Sequence, residues 1–254
     1  MSPPWLSGPV PSPLWLAVIV LGLAGLALVA YALRALDVAG AVGSFVLGFV
    51  VAGLGGLGWL LLMVTFTGVG FVVTRTGRLR KEERRIAEDN DGERGLRNVL
   101  ANGAAAALAA FAGQIQGVSR TVAALAFASA VAAVTADTAA SELGSLAARA
   151  RRVLPPFPAV APGENGGVSW PGQAAAAAGA LLIGMLSVPL LGLGWGHAWI
   201  PAVAGFVGCQ LDSVLGASLE RDAVRDGPLS KQDVNFIASA VPALVVLVGA
   251  ALLL

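Results

Sequence analysis

Eight long apolar stretches alternate with short polar ones along the chain, over about 14–34, 38–53, 55–74, 98–114, 119–143, 172–193, 198–219 and 234–253. Roughly 20 apolar residues cross the hydrocarbon layer as a helix. The pattern therefore predicts an all-α fold, a polytopic transmembrane helix bundle of about eight spans, organised as a single integral-membrane domain over 1–254. The second stretch is short and Gly-rich. The fourth and fifth are so rich in alanine that they are only moderately hydrophobic, which predicts packing inside the bundle, away from lipid.

Polar residues break this pattern in a consistent place. Span five closes with "TADTAASELG", carrying Asp137, Thr138, Ser141 and Glu142. An acid at depth in a bilayer costs about 2.5–3.5 kcal/mol even on a lenient insertion scale, so such residues mark sites by default. Span seven carries Asp212 and Ser213, with Glu220 at its end. Span four opens with Arg97, Asn98 and Asn102, and span eight with Asn235. If successive spans alternate in direction, four helices bring polar groups to one level. Ala133, Asp137 and Ser141 share a helix face. Beside it, Ala132, Ala136 and Ala140 form a small-residue stripe that admits a close neighbour. Asp212, Gly216 and Glu220 align likewise. Glu142 is five residues from Asp137, well around the helix, so the two carboxylates need not meet on one ion.

The charges orient the bundle. With eight spans, every Lys and Arg except Arg120 falls on one side. The positive-inside rule makes that side cytoplasmic and predicts both termini outside. Trp5, Trp15, Trp195 and Trp199 then fall near the outer boundary, as aromatic-belt residues. Before Arg34 there is no basic residue, so the N-terminus reads as a retained Pro-rich lead-in rather than a cleaved signal.

Composition agrees: 57% of residues are hydrophobic and 12% charged, against about 25% charged for a soluble domain. Cys209 is the single cysteine, which excludes an internal disulfide and a Cys-based metal cluster. His197 reads as an interfacial residue. No internal repeat suggests an inverted-repeat transporter, and nothing suggests nucleic-acid binding.

Two loops add candidate chemistry. "RTGRLRKEERRIAEDNDGERGLR" is basic at both ends and suits a solvated hairpin near anionic lipid; its "DND" lacks the other positions of a cation loop. "PGENGGVSWPG" places Asn165, Gly166, Gly167 and Ser169 before a helix N-terminus, where backbone N–H groups converge on an anion. Each residue also has a plainer role. Asn98 and Asn102 suit interhelical hydrogen bonding, Glu142 and Glu220 suit pairing with arginines, and a Gly/Pro turn often holds no ligand. Taken together, acids for Mg²⁺ and amides and cations for phosphate oxygens suffice for phosphoryl transfer. An anionic acceptor requires no histidine base.

The segments "RNVLANG" (97–103), "ADTAASELG" (136–144), "GENGGVS" (163–169) and "GFVGCQLDSVLGASLE" (205–220) occur in the order seen in a family of integral-membrane proteins that includes the phytyl-phosphate kinases. The chain resembles that family over about 75–240. The resemblance implies transfer of a phosphoryl group from a nucleoside triphosphate, CTP favoured, to an isoprenyl monophosphate of phytyl or geranylgeranyl type. Its polar positions fall on Asn98, Asn102, Asp137, Ser141, Glu142, Asn165, Gly166, Gly167, Ser169, Asp212 and Ser213. Two positions depart from it: Ala139 stands where a bulky aromatic is expected, and Glu164 where Thr is expected.

The expectation is thus a Mg²⁺-dependent polyprenyl-phosphate kinase of a prokaryotic inner membrane, its active site facing the cytoplasm. Asp137, Asp212 and Glu142 serve as catalytic and metal-binding acids. Arg97, Asn98, Asn102, the 165–169 loop, Ser213 and Asn235 bind phosphate or nucleotide. A CDP-lipid-forming nucleotidyltransferase, a cation- or proton-coupled transporter and a structural membrane subunit remain as alternatives. The small-residue stripes suit a homodimer as well as packing within one chain.

Overall fold

A computed structural model of the chain describes residues 13–77, 94–221 and 226–253, with backbone alone for 250–253. Trp5 and most of the Pro-rich lead-in, the 78–93 part of the first basic loop with its "DND", and Arg225 lie outside the described residues.

Among the described residues the chain forms eight α-helices: α1 (Pro13–Ala32), α2 (Val38–Gly55), α3 (Leu57–Arg75), α4 (Leu96–Ala112), α5 (Arg120–Gly144), α6 (Trp170–Leu191), α7 (Trp199–Ser218) and α8 (Lys231–Leu253). They follow the eight apolar stretches one for one. Seven are long and apolar enough to cross a membrane, and α4, with 17 residues, is the shorter one. The stretch that looked short is a full helix of 18 residues, ended by Gly56 at φ 95. It was the glycines of α2, not its length, that weakened the pattern.

Helix α5 is the axis of the bundle, packed against α3, α4, α6, α7 and α8. Every residue from Val122 to Ala136 is buried. Alanine makes this possible, because a side chain that ends at Cβ lets a neighbouring backbone come close. A Cβ on Gly205 of α7 would stand 2.4 Å from the Ala132 Cβ, and one on Gly208 2.6 Å from that of Ala133. Ala136 packs with Ala176, Ala180 and Cys209. Ser129 and Thr135 return their hydroxyls to the Leu125 and Val131 carbonyls (2.8 and 2.7 Å), so neither leaves an unpaired donor in the core.

The interior position expected for both alanine-rich spans holds for α5 and for one face of α4. Ala101, Ala105, Ala106, Ala109 and Ala110 point inward, but Leu100, Leu108 and Phe111 are exposed. The bulky residues of α4 sit opposite its alanine face and are left to the lipid.

The helix ends that meet at one pole are tied together. Asp37 caps α2 through the Gly40 N–H (2.6 Å). The Asp37 N–H donates to the Arg94 carbonyl (3.3 Å), and the Arg94 N–H to the Ala35 carbonyl (3.1 Å). Arg75 donates to the Leu33 carbonyl (2.7 Å). Between α5 and α6 lies a small antiparallel sheet of β1 (Ala150–Arg152), β2 (Ala159–Val160) and β3 (Gly167–Val168), with β1 in the middle. Arg151 pairs with Ala159 on one side and Val168 on the other. Strands of two or three residues carry no readable alternation, and the sequence pattern did not predict them. They aim the 163–169 segment back at the bundle.

At the opposite pole Arg120, the basic residue expected apart from the others, donates to the Gly55 carbonyl (2.6 Å) and lies over the Trp59 ring. Trp59 in turn packs on Phe127, with ring centroids 4.6 Å apart. Trp195 and Trp199 are exposed at this pole, and His197 ends a 3-10 turn there.

Candidate functional site

The tied pole encloses a cavity of about 1030 Å³ to which all eight helices contribute. Its lining includes Asn98, Asn102, Asp137, Ser141, Glu142, Asn165, Gly166, Gly167, Ser169, Asp212, Ser213 and Asn235, and so every candidate metal- or phosphate-binding residue except Arg97. The convergence of four helices at one level, expected from their polar ends, is therefore present. Its chemistry is sorted by position.

The deep end is acidic. Asp137 of α5 and Asp212 of α7 are neighbouring carboxylates, with Glu220 and Lys231 as further charges around Asp212. A divalent cation between two such groups would offset their like charge. Asn235 of α8, with its amide oriented by its neighbours, donates to Asp212 Oδ2 (3.3 Å) and to the Lys231 carbonyl (3.0 Å). In the opposite orientation its nitrogen faces Asn102 Oδ1 at 3.5 Å. Asn102, only 8% exposed, donates to the Asn98 carbonyl (2.8 Å) and to Asn98 Oδ1 (3.1 Å). A small crevice behind the acid pair is walled by Asn102, Asn235 and Ser239.

Glu142 is elsewhere. It accepts from Thr74 Oγ1 (2.8 Å) and faces Arg94 at 3.9 Å, across the cavity edge on α3. Among the described residues no group of three acids, histidines or cysteines converges as a metal centre. Glu142, the possible third metal ligand, thus sits with Thr74 and Arg94, and its separation from Asp137 is the one expected from five residues along a helix. The remaining pair still fits Mg²⁺. That ion takes one or two carboxylates and completes an all-oxygen shell with water and phosphates rather than with a protein cage. Asp137 and Asp212 supply that count, with no thiolate or imidazole lining the cavity.

The Gly-rich segment is built more tightly than an open anion nest. Gly166 has φ 72, and a Cβ there would stand 2.3 Å from the Ala217 Cβ, so only glycine fits against α7. The Gly167 N–H donates to the Glu164 carbonyl (2.8 Å). Ser169 caps α6 by accepting from the Gly172 N–H (3.3 Å) while its hydroxyl donates to the Gly144 carbonyl (3.2 Å). Asn165 donates to Glu220 Oε1 (2.9 Å). Glu164 pairs with Arg152, which holds its negative charge toward the sheet. The segment thus serves first as a clamp joining α5, α6 and α7, a role that its glycines alone did not reveal.

Arg97 is exposed on α4 and does not line the cavity; Asp233 is a charge near it. Among the described residues the cations that do line it are Arg34, Arg75, Arg94 and Lys231. Sequence reading used these four to orient the bundle, and Arg75 and Arg94 also as parts of a loop near anionic lipid. The available signal was their position: Arg34 and Arg75 stand at the very ends of apolar stretches. Away from both charged regions, the wall is apolar, formed by Leu23, Leu26, Phe45, Leu60, Met63 and Phe66.

Fold and cavity together define a polytopic α-helical membrane protein with one large amphiphilic chamber at a charged pole. A family model described as "Integral membrane protein DUF92" matches residues 21–243, and the chain belongs to that family. It is 33% identical over 208 residues to an uncharacterized membrane protein of Methanocaldococcus jannaschii, covering 82% of this chain and 83% of that one. It is 32% identical over 209 residues to an uncharacterized membrane protein of Synechocystis sp., covering 81% of each. No solved structure matches it.

Proposed function

We propose that this protein is a phosphotransferase of the membrane. It moves a phosphoryl group from a nucleoside triphosphate to an isoprenyl monophosphate held in the bilayer and forms the diphosphate. The observation that carries this reading is the division of one chamber into an acid pair, a basic edge and an apolar wall. Its volume, about 1030 Å³, is at the top of the usual range for a single ligand, which suits two substrates side by side. The resemblance to the phytyl-phosphate kinases supplies the reaction and favours CTP.

Asp137 and Asp212 would hold Mg²⁺, which neutralises triphosphate charge when bound. Asn235 fixes the Asp212 carboxylate from α8. Asn98 and Asn102 set one another from α4 and present amides toward the same end. Lys231, at the mouth, is suited to a polyphosphate oxygen. The acceptor is already an anion, so no side chain has to remove a proton. Closely packed Trp59, Phe127 and the alanines of α5 block the opposite pole, which favours a one-sided enzyme over a carrier. By the positive-inside argument the chamber opens to the cytoplasm of a prokaryotic inner membrane.

The test is direct. Purified protein is mixed with phytyl or geranylgeranyl phosphate, Mg²⁺ and each γ-labelled nucleoside triphosphate. Labelled isoprenyl diphosphate and a nucleoside diphosphate are expected, with CTP the best donor. Pyrophosphate release would identify a CDP-lipid-forming enzyme instead, and no product from any pairing with folded protein would end the enzymatic reading.

A further inference from the structure

We infer that the apolar wall of the chamber ends in a floor that sets the length of the substrate tail, formed by Leu23 of α1, Gly48 of α2 and Leu60 of α3. The inference rests on the proposed phosphoryl transfer to an isoprenyl monophosphate and adds the residues that select among such substrates.

Each of the three helices stops facing the cavity at the same level. Leu23, Gly48 and Leu60 are the lining residues of α1, α2 and α3 farthest from the charged pole. One turn deeper stand Ile19, Ala52 and Leu57, and none of these lines the cavity. Ile19, Leu23, Ala52 and Leu60 are instead buried as one cluster, with Leu57 packed against it. The cavity therefore closes here on packed side chains.

Gly48 fixes the height of that floor. A Cβ there would stand 2.7 Å from Leu23 Cδ2 and 3.4 Å from Leu60 Cδ1. Lacking one, Gly48 lets both leucines settle against the α2 backbone. A side chain at this position has to displace the end of Leu23, and the open side is the cavity.

Depth and lining then define the tail. From Gly48 to the start of α2 at Val38 the helix rises roughly 15 Å, at about 1.5 Å per residue. One leaflet is half of the roughly 30 Å hydrocarbon core, so the groove is about a leaflet deep. It takes a tail of farnesyl to geranylgeranyl length and has no place for the end of a long polyprenyl chain. From Leu23 to Ala30 on α1, and from Leu60 to Phe71 on α3, the lining residues carry no ionisable group. The groove is continuous with the space beside the acid pair, so a tail lying in it keeps its phosphate end in the polar chamber. Lipid tails are as apolar as leucine. Selection here therefore comes from fit rather than from escape from water, and a tail that overfills the groove is the one rejected.

The experiment is equilibrium competition against radiolabelled geranylgeranyl monophosphate, on the full chain in phosphatidylcholine nanodiscs with Mg²⁺ and without nucleotide. Geranyl, farnesyl, geranylgeranyl and undecaprenyl monophosphates are compared at equal mole fraction in the disc, so that the shared head cancels. Farnesyl and geranylgeranyl should each compete at least about tenfold better than undecaprenyl. Leu23→Ala with Leu60→Ala deepens the groove and should narrow that gap to about twofold. Gly48→Val raises the floor; it should weaken geranylgeranyl about tenfold and leave geranyl within about twofold. Melting temperatures identify the folded variants, and the milder Leu23→Val and Gly48→Ala should shift the length order in the same directions. An unchanged length order in the folded variants of Leu23, Gly48 and Leu60 would overturn the inference. So would equal competition in wild type by undecaprenyl monophosphate or by dioleoyl phosphatidic acid. Length selection as expected but no phosphoryl transfer would sink the enzymatic reading alone. Phosphoryl transfer with one tail preference in every variant would sink the floor alone.

Discussion

Arginines stand near helix ends at both poles of the bundle, and their surroundings differ. At the far pole Arg120 meets a backbone carbonyl and an aromatic face, in a packed setting of Trp59 and Phe127. Its guanidinium is partly covered by these partners. At the near pole Arg34, Arg75 and Arg94 border a chamber, with two facing aspartates on its other side. An ionisable residue in a membrane span is costly in either place. At the far pole the charge meets a carbonyl and a ring, and at the near pole the charges border the chamber.

The sharpest way to break this contrast is at the acid pair. Asp137→Asn and Asp212→Asn should each reduce phosphoryl transfer by at least about a hundredfold, the scale of losing a main electrostatic contact. The melting temperature should hold or rise, because a like-charge contact is relieved. Full activity in either folded variant would remove the metal role. Next in size, Arg120→Gln should destabilise the fold by about 2 kcal/mol, from a charged hydrogen bond and a cation–π contact. Transfer rates of the folded protein should be unchanged; a denaturation series and an assay on the same sample check both. A catalytic defect at Arg120 would show that the far pole is not inert. The smallest effect is expected at Ser169→Ala, where the lost cap costs about 1 kcal/mol. KM for the nucleotide should not move, since the hydroxyl already serves Gly144 and Gly172. A tenfold rise in KM would return Ser169 to phosphate binding.

The eight helices were legible because lipid demands long apolar runs, and those runs set the count and alternation. The convergence of Asp137, Asp212, Asn102 and Asn235 was legible for the same reason: polar residues at matching depths in alternating helices must meet at one level. Partnerships within that level were not. The five-residue spacing tells that Glu142 turns from Asp137, but not that Thr74 and Arg94 meet it, because that depends on α3 and on the segment before α4. The Gly-rich segment has a steric role that its sequence did not display. Its glycines answer a steric demand from Ala217 and the turn before β3, and a helix N-terminus behind glycines resembles a phosphate nest whichever demand created it. Arg34 was counted as a marker of orientation, whereas its backbone conformation gives its side chain a direction.

The enclosure of α5 has a consequence for how the protein is made. Synthesis runs from the N-terminus, so the axis emerges before α6, α7 and α8, which supply much of its sheath. A nascent chain halted there carries a rod of alanine with two acids, Asp137 and Glu142, apolar enough to span but without the helices that cover most of its surface. The last three helices complete that cover, so the second half of the chain acts as the template on which the first half's innermost member comes to rest.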